Sequence, residues 1–429
     1  DRTTTRSLVI SITITRFAPE KSRSSSPVAW HGHCPDSMRA TVRAEGGTLA
    51  RTRKSRAVRG AKRRVRYAVV GLGYFGQAAV LPAFAHAARN SELVALVSDD
   101  PVKRRKLGRK YRVGRLYSYE QYGECLASGE IDAVYVALPN HLHRDYTVPA
   151  CEAGVHVLCE KPMAVTEDEC EDMIRAAEAK NVRLMIGYRL HFEEANLKAV
   201  EIVKSGRLGE PRVFSSVFTM QVEDPDNIRL NPISQGGGTL YDIGIYCINA
   251  ARYLFRSEPT EVQAISANNG DRRFRDMDEM TSAVLRFPGE RLASFTCSFG
   301  AASHGSYRIV GTKGDLAVTD AYEFADPKRL ELTVGEKKTR LSFPRRDQVA
   351  AEILRFSECV RSGKNPEPSG REGLADVRII RALYRSAKEG RAIDLSAFEK
   401  RRRPTLEQEV RRPPVRMPEL VRATPPSGN

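Results

Sequence analysis

Val65-Arg66-Tyr67-Ala68-Val69-Val70-Gly71-Leu72-Gly73-Tyr74-Phe75-Gly76 is the stretch on which the fold turns. Its first six residues have the apolar, β-branched character of a buried strand. The next six set glycines at their first, third and sixth positions, just ahead of an Ala-rich run, Ala78 to Ala88, that reads as a helix. Between a strand and a helix those glycines have separate duties. Gly71 permits a tight turn, Gly73 lets the backbone approach a pyrophosphate, and Gly76 lets the helix lie close to the strand. The free N–H groups of the helix start then face the phosphates, with Leu72, Tyr74 and Phe75 completing the loop. A nucleotide-free turn is the alternative use of the same residues.

Outward from this loop the pattern repeats. Leu93 to Val97 reads as a strand, Val102 to Lys110 as a basic helix, and Ile131 to Leu138 as a buried strand. A helix over Asp145 to Ala153, a strand His156 to Cys159, a helix Glu167 to Ala179 and a strand Arg183 to Ile186 follow. Alternation of this kind predicts an open parallel sheet covered by helices. Past Asn196 the rhythm changes. A helix over Asn196 to Lys204 and a strand over Arg212 to Val222 lead to Gly236-Gly237-Gly238 and a helix from Thr239 to Leu254. Strands are then read at Glu261 to Ser266, Met280 to Phe287, Leu292 to Phe299, Tyr307 to Gly311, Asp315 to Thr319 and Arg329 to Thr333. A mostly antiparallel open sheet with helices on one face fits that order, its other face available to a second subunit. Two amphipathic helices, Gln348 to Arg361 and Gly370 to Lys388, are expected to close this second domain. The expected division is a basic arm at 1–64, a dinucleotide-binding domain at 65–188, a substrate and oligomerisation domain at 189–395, and an Arg/Pro-rich tail at 396–429.

The formal charge of +16 belongs to the ends. Residues 1–66 carry 16 basic and 4 acidic side chains and residues 396–429 carry 8 and 4, which accounts for all of it. The body is neutral, so a nucleic-acid footprint there has no support, and the arm lacks aromatic interleaving or a reading module. The eight cysteines are scattered without a C-x-x-C pair, as expected of thiols in a reducing compartment. His31, His33 and Cys34 read as accidental neighbours, and no metal site is expected. No apolar run is long enough to span a membrane. Residues 7–15 form a short apolar patch without a small-residue cleavage pattern, so cytoplasm is the expected location.

The end of the second strand bears on cofactor choice. A carboxylate there holds an unmodified ribose, whereas a small hydroxyl with nearby cations suits a 2′-phosphate. The strand register puts Ser98 at that position, with Lys103 and Arg104 opening the next helix, so NADP is expected over NAD. Asp99 and Asp100 keep NAD open, because a shift of one residue would bring a carboxylate to the ribose.

Ala137-Leu138-Pro139-Asn140-His141-Leu142-His143, Cys159-Glu160-Lys161-Pro162-Met163 and Gly187-Tyr188-Arg189 resemble the dehydrogenase family that includes glucose–fructose oxidoreductase and inositol dehydrogenase. Gly236 to Tyr246 and Asp376-Val377-Arg378 bring the resemblance closer to the glucose–fructose oxidoreductase branch, over approximately Arg64 to Leu395. The resemblance implies a Rossmann-like domain followed by an α/β domain that assembles through a large open sheet into a homodimer or homotetramer. It further implies that Lys161 borders nicotinamide and substrate, that Asp242 helps hold a sugar, and that Tyr246 takes the proton-transfer role filled by His in many relatives. Leu138, Asn140, His143 and Glu160 would line the cofactor cleft, a hydrogen-bonded histidine at a helix start being the other reading of His143.

Local chemistry agrees. Lys161 follows a parallel strand at the carboxyl edge, where open α/β sheets bind ligands. Asp242 and Tyr246, four residues apart on a helix, share a face. A phenol is a weak base at neutral pH, and the Lys161 charge would help it accept a sugar hydroxyl proton as hydride leaves C1. Arg189 reads either as a contact to nicotinamide or substrate or as the partner of Glu193. NADP-dependent sugar oxidoreduction is the expected activity, with oxidation of an aldose such as glucose at C1 paired to reduction of a ketose such as fructose as the form nearest the resemblance. An ordinary NAD(P)-linked sugar dehydrogenase or reductase and a noncatalytic NADP-responsive binding protein stand as alternatives. The basic segment Arg51 to Arg66 lacks the proline-rich character of the cofactor-covering arm that the resemblance implies.

Overall fold

The computed structural model describes residues 63–400 and 402–426. The predicted basic arm, apart from Arg63 and Arg64, lies outside the described residues, as do the residues of the patch at 7–15 and the His31, His33 and Cys34 group.

Six parallel strands form the first sheet: β1 (Val65–Val70), β2 (Ser91–Val97), β3 (Arg115–Tyr117), β4 (Ala133–Val136), β5 (His156–Glu160) and β6 (Leu184–Gly187). Their order is β3-β2-β1-β4-β5-β6, so the glycine loop leaves the centre of the sheet at the point where strand order reverses. The helices are α1 (Leu81–Ala87), α2 (Pro101–Tyr111), α3 (Tyr122–Ala127), α4 (His143–Glu152) and α5 (Glu167–Ala179). The sequence reading did not include β3 and α3. β3 is three residues at a sheet edge with one side chain exposed, too short for a period to register. The Ala-rich helix also opens differently from the expectation, with a π-turn over Gly76–Val80 ahead of α1.

The second sheet follows α6 (Glu194–Lys204) and has nine strands: β7 (Pro211–Gln221), β8 (Glu261–Ala267), β9 (Met280–Phe287), β10 (Arg291–Ser298), β11 (Gly300–Gly311), β12 (Gly314–Thr319), β13 (Lys328–Val334), β14 (Lys337–Phe343) and β15 (Ile393–Asp394). In the order β14-β13-β12-β11-β7-β10-β9-β8-β15, only β7 and β10 pair in parallel. The expected fold class holds. One face is covered by α6, α7 (Ile245–Phe255) and α9 (Gly370–Glu389), and strict alternation along β9 buries Thr281, Ala283, Leu285 and Phe287 beneath them. The opposite face leaves Val213, Val217, Ile265, Val284, Leu292 and Val310 exposed. Among the described residues no helix is long and apolar enough to cross a membrane.

The helix α8 (Gln348–Ser362), expected to close the second domain, packs instead on the parallel sheet. Its Val349, Ile353, Leu354 and Phe356 share a core with Tyr67, Phe84 and Leu158, and Ser357 Oγ lies 2.6 Å from the Tyr67 hydroxyl. Apolar periodicity marks which helix face is buried but not which sheet buries it. The Arg/Pro-rich tail is irregular, yet docked. Arg355 donates to the carbonyls of Glu407 and Gln408, and Asp347 N donates to Arg412 O at 3.2 Å. Lys400 lies 2.7 Å from both Glu367 and Glu372. Beneath it Arg252, fully buried, meets Glu372 at 2.7 Å, Asp376 at 2.5 Å and Glu258 at 2.6 Å.

Candidate active site

The carboxyl edge of the parallel sheet gathers the loops that follow β1, β2, β4, β5 and β6. A Cβ on Gly71, whose φ is +98°, would strike the Ala137 carbonyl, and one on Gly76 would come 2.6 Å from Gly71 O. One on Gly73 would meet nothing within 4 Å. The loop is thus pressed against its neighbours at its first and last glycines and open at the middle one, the shape a phosphate approach requires. Leu72 points into the core at 2% exposure and can serve a ligand only through its backbone. Tyr74 is half-buried, and Phe75 packs edge-on against Phe324 at 6.3 Å.

β2 ends at Val97 and Ser98 follows, buried, its N–H bonded to Tyr117 O at 3.0 Å. Asp99 accepts from Tyr119 N at 2.8 Å. Asp100 caps α2, accepting from Val102 N at 2.8 Å and Lys103 N at 3.1 Å. Those backbone bonds, that from Lys103 first, hold its carboxyl below the usual range. Arg104 donates to Ser98 O at 2.7 Å.

At the other end of the cleft five side chains converge. Lys161 Nζ donates to Asp242 Oδ1 at 3.0 Å and to the Asp242 carbonyl at 2.8 Å. The same ammonium sits 4.9 Å from the Tyr246 ring centre, and the Arg189 guanidinium sits 5.0 Å from it. Arg229 Nε donates to Asp242 Oδ2 at 2.6 Å. Burial alone would raise the Asp242 carboxyl, but Arg229 and then Lys161 hold it far below the usual carboxylate range. Burial likewise opposes the Lys161 charge, and Asp242 followed by Tyr246 outweigh it, so this ammonium is held more tightly than a free lysine. The Tyr246 ring is fixed by Phe218 at 5.6 Å and Tyr322 at 6.0 Å. Asp242 lies in a π-turn, Leu240–Gly244, and Tyr246 at the start of α7, so the expected shared helix face is reached through an irregular first turn.

Arg229 was absent from the sequence reading. A Cβ on Gly237 would collide with the Asn231 carbonyl, and Gly238 N donates to Arg229 O at 3.0 Å. The triple glycine therefore presses the Ile228–Leu230 turn against the chain that leads to Asp242. No local signal marks an arginine whose partner is thirteen residues away across two turns.

The remaining candidates divide. Leu138 is buried beside the glycine loop, and Asn140 Nδ2 donates to Gly236 O at 2.6 Å, tying the two domains together. His143, expected at the cleft, is fully buried. Its ring nitrogens lie 2.8 Å from Pro162 O and 2.9 Å from Leu138 O, so it braces two cleft turns from beneath. Burial lowers its pKa. Glu160 is buried too. It accepts from the Tyr135 hydroxyl at 2.6 Å, and Glu352 of α8 lies 3.4 Å from the same hydroxyl. Burial raises both carboxyls below the Lys161 turn. Arg189 does not pair with Glu193. It donates to Gln348 and to the Tyr322 carbonyl, while Glu193 caps α6 through Ala195 N and Asn196 N. Among the described residues no group of three or more His, Cys, Asp or Glu side chains is arranged to hold a metal.

The site therefore offers an open phosphate loop and, at the far end of the same sheet edge, a phenol flanked by two cations beside an ionised carboxylate. Its donors suit hydroxyl groups and its phenol suits proton transfer. A sequence pattern described as an oxidoreductase family with an NAD-binding Rossmann fold matches residues 65–188, and the GFO/IDH/MocA C-terminal domain matches residues 196–317. An uncharacterized oxidoreductase of Rhizobium meliloti is 36% identical over 335 residues, 76% of this chain and 98% of that protein. The D-xylose 1-dehydrogenase [NADP(+)] of Haloarcula marismortui is 32% identical over 330 residues, 76% of this chain and 91% of that protein. In structure, the aldose-aldose oxidoreductase from Caulobacter crescentus complexed with glycerol superposes with a TM-score of 0.74 at 37% identity, covering 78% of this chain and all of that one.

Proposed function

The chain belongs to the GFO/IDH/MocA family of oxidoreductases with an NAD-binding Rossmann fold, and from that membership we propose that it is an NADP-dependent oxidoreductase oxidising an aldose at C1 to its lactone. The observation that carries the reading is Lys161 Nζ, held between the Asp242 carboxylate and the Tyr246 ring at the carboxyl end of β5. Relatives named for aldoses and for xylose support the substrate class.

The open approach at Gly73 and the small buried Ser98 fit a dinucleotide lying along the sheet edge, nicotinamide toward Tyr246. When bound, the nicotinamide accepts the hydride from the sugar carbon. The protein's part is to take the proton. Tyr246, reacting as a phenolate, receives it from the C1 hydroxyl as that oxygen becomes a carbonyl, and Lys161 and Arg189 face the phenolate whose charge that proton discharges. Lys161 and Asp242 also orient the hydroxyl, and Arg229 fixes the second oxygen of Asp242. Leu138 and Asn140 line the cofactor cleft, His143 braces it, and Glu160 supports the Lys161 turn. Asp99 and Asp100 each spend one carboxylate oxygen on backbone N–H groups, and the strand itself ends on the small Ser98, which favours NADP. The exposed apolar face of the nine-stranded sheet suits a homodimer or homotetramer. The seven described cysteines are free thiols, in keeping with the cytoplasm.

The test is to purify the protein without added nucleotide, identify what it retains, and follow nicotinamide absorbance as glucose or xylose and then fructose are added. Reduction by the aldose supports sugar oxidation, and reoxidation by the second sugar supports paired turnover on a retained cofactor. Reduction without reoxidation indicates an ordinary dehydrogenase. No redox change with any sugar, in protein that binds NADP, overturns the enzymatic reading in favour of a binding protein.

A further inference from the structure

The tail beyond α9 ends beside the nucleotide loop. Lys110, in the last turn of α2, donates to Glu419 O at 3.1 Å. Two residues on, Val421 is held by both of its main-chain groups. Its N–H donates to Gln77 Oε1 at 2.7 Å, and its carbonyl accepts from Gln77 Nε2 at 2.9 Å. Gln77 is 1% exposed, and the same Nε2 donates to Leu72 O at 2.9 Å, inside the glycine loop. Val421 also packs on the apolar core beneath that loop. The tail therefore follows α2 toward its amino end and is fastened, through one buried amide, to the loop that would carry the pyrophosphate.

Its next residue is Arg422. The guanidinium lies 3.5 Å from Asp100 Oδ2, on the residue that caps α2 at the ribose end of the sheet, and the side chain is 63% exposed. Asp100 Oδ1 is occupied by the helix N–H groups, so Oδ2 is the oxygen whose charge would repel a 2′-phosphate, and Arg422 faces it. Arg422 spends one nitrogen on this contact and keeps further donors in a planar fork, the geometry that recognises phosphate oxygens. Lys103 and Arg104 come from the other side, from α2.

We propose that Arg422 is a specificity residue for the cofactor: the tail, latched by Val421 to Gln77, delivers its guanidinium to the adenosine ribose, where it neutralises Asp100 and binds the 2′-phosphate of NADP. The assignment rests on the reading of this loop as a dinucleotide site and extends it to a segment more than 300 residues away in sequence. Arg422 touches cofactor, and Gln77 is a positioning residue that acts through the tail.

The experiment uses the full chain as wild type, R422A, R422K and Q77A, with co-purified nucleotide exchanged out, titrated calorimetrically with NADP and with NAD. R422A is expected to weaken NADP about 10-fold, the scale of one charge-assisted contact, and to leave NAD within about twofold. R422K should recover part of the loss, and Q77A should weaken NADP more than NAD by releasing the tail. Unchanged NADP affinity in R422A overturns the assignment, as does an equal loss for both dinucleotides. Both would leave the dinucleotide reading intact, because the variant would still bind. A wild type that binds neither dinucleotide overturns that reading, and this assignment with it.

Discussion

Replacing Tyr246 by Phe isolates the proton-transfer step. The ring is held by Phe218 and Tyr322 at 5.6 and 6.0 Å, and Phe retains both contacts. What is lost is the hydroxyl of a ring that two cations face, each about 5 Å from its centre. A unit charge at ~5 Å in an effective dielectric of ~20 contributes about 3 kcal/mol to an adjacent phenolate, the form that accepts the proton. Asp242, 3.0 Å from Lys161, offsets part of that cation's share. With no other group in its place to accept the proton, the expected loss is that of a positioned acid–base group, a rate factor of roughly 100 or more. Y246F should therefore bind nucleotide like wild type and reduce it at least about 100-fold more slowly in a single turnover with saturating sugar. K161A should be slower still, because it removes a cation and a hydroxyl donor together. Stopped-flow absorbance of the reduced nicotinamide, with bound nucleotide measured in the same samples, separates chemistry from binding. A Y246F rate within about threefold of wild type, in folded and nucleotide-bound protein, would refute the assignment of the phenol as proton acceptor.

Three further outcomes follow from named contacts. Ser98→Asp should weaken NADP selectively, because it puts a carboxylate at the strand end that Asp99 and Asp100 have turned away from; equal losses for NADP and NAD in titrations would count against that register. Asp242 has a folded pKa depressed below its unfolded value, so its stabilisation is fully present above about pH 4 and is lost as pH falls through the lower folded value. Urea midpoints between about pH 2 and 6 should accordingly decline less steeply in D242N than in wild type. Arg252→Ala leaves the buried Glu372 and Asp376 without their shared cation and should cost about 3–5 kcal/mol in urea denaturation. A loss below about 1 kcal/mol would mean that Lys400, 2.7 Å from Glu372, compensates for it.

What the sequence discloses here is what local pattern encodes. The glycine loop, the alternation along β9 and the turn carrying Lys161 each depend on residues within a few positions, and each is found where the pattern sets it. The reading fails where a neighbour in sequence is not the neighbour in space. Glu193 lies four residues after Arg189, a helical ion-pair spacing, but Arg189–Phe192 is a 3-10 turn and Glu193 sits outside α6 as its cap. Of the two uses of Arg189 that the sequence left open, the ion pair is thereby removed, and the guanidinium lies over Tyr246 while donating to Gln348 and the Tyr322 carbonyl. His143 falls within a motif that points to the cleft, and its place at the start of α4 favours the other reading, a hydrogen-bonded helix-start histidine, with the imidazole under the two loops it braces. Arg229 and Glu352 reach the site from separate elements, through the pressed glycine turn and through a helix that crosses to the other sheet. The tail is the sharpest case, because arginine and proline are read as solvated composition, whereas its backbone carbonyls accept from Arg355, Lys110 and Gln77. Composition records which side chains prefer water; it does not record main-chain groups, and it is by main-chain groups that this tail is fastened to the nucleotide loop.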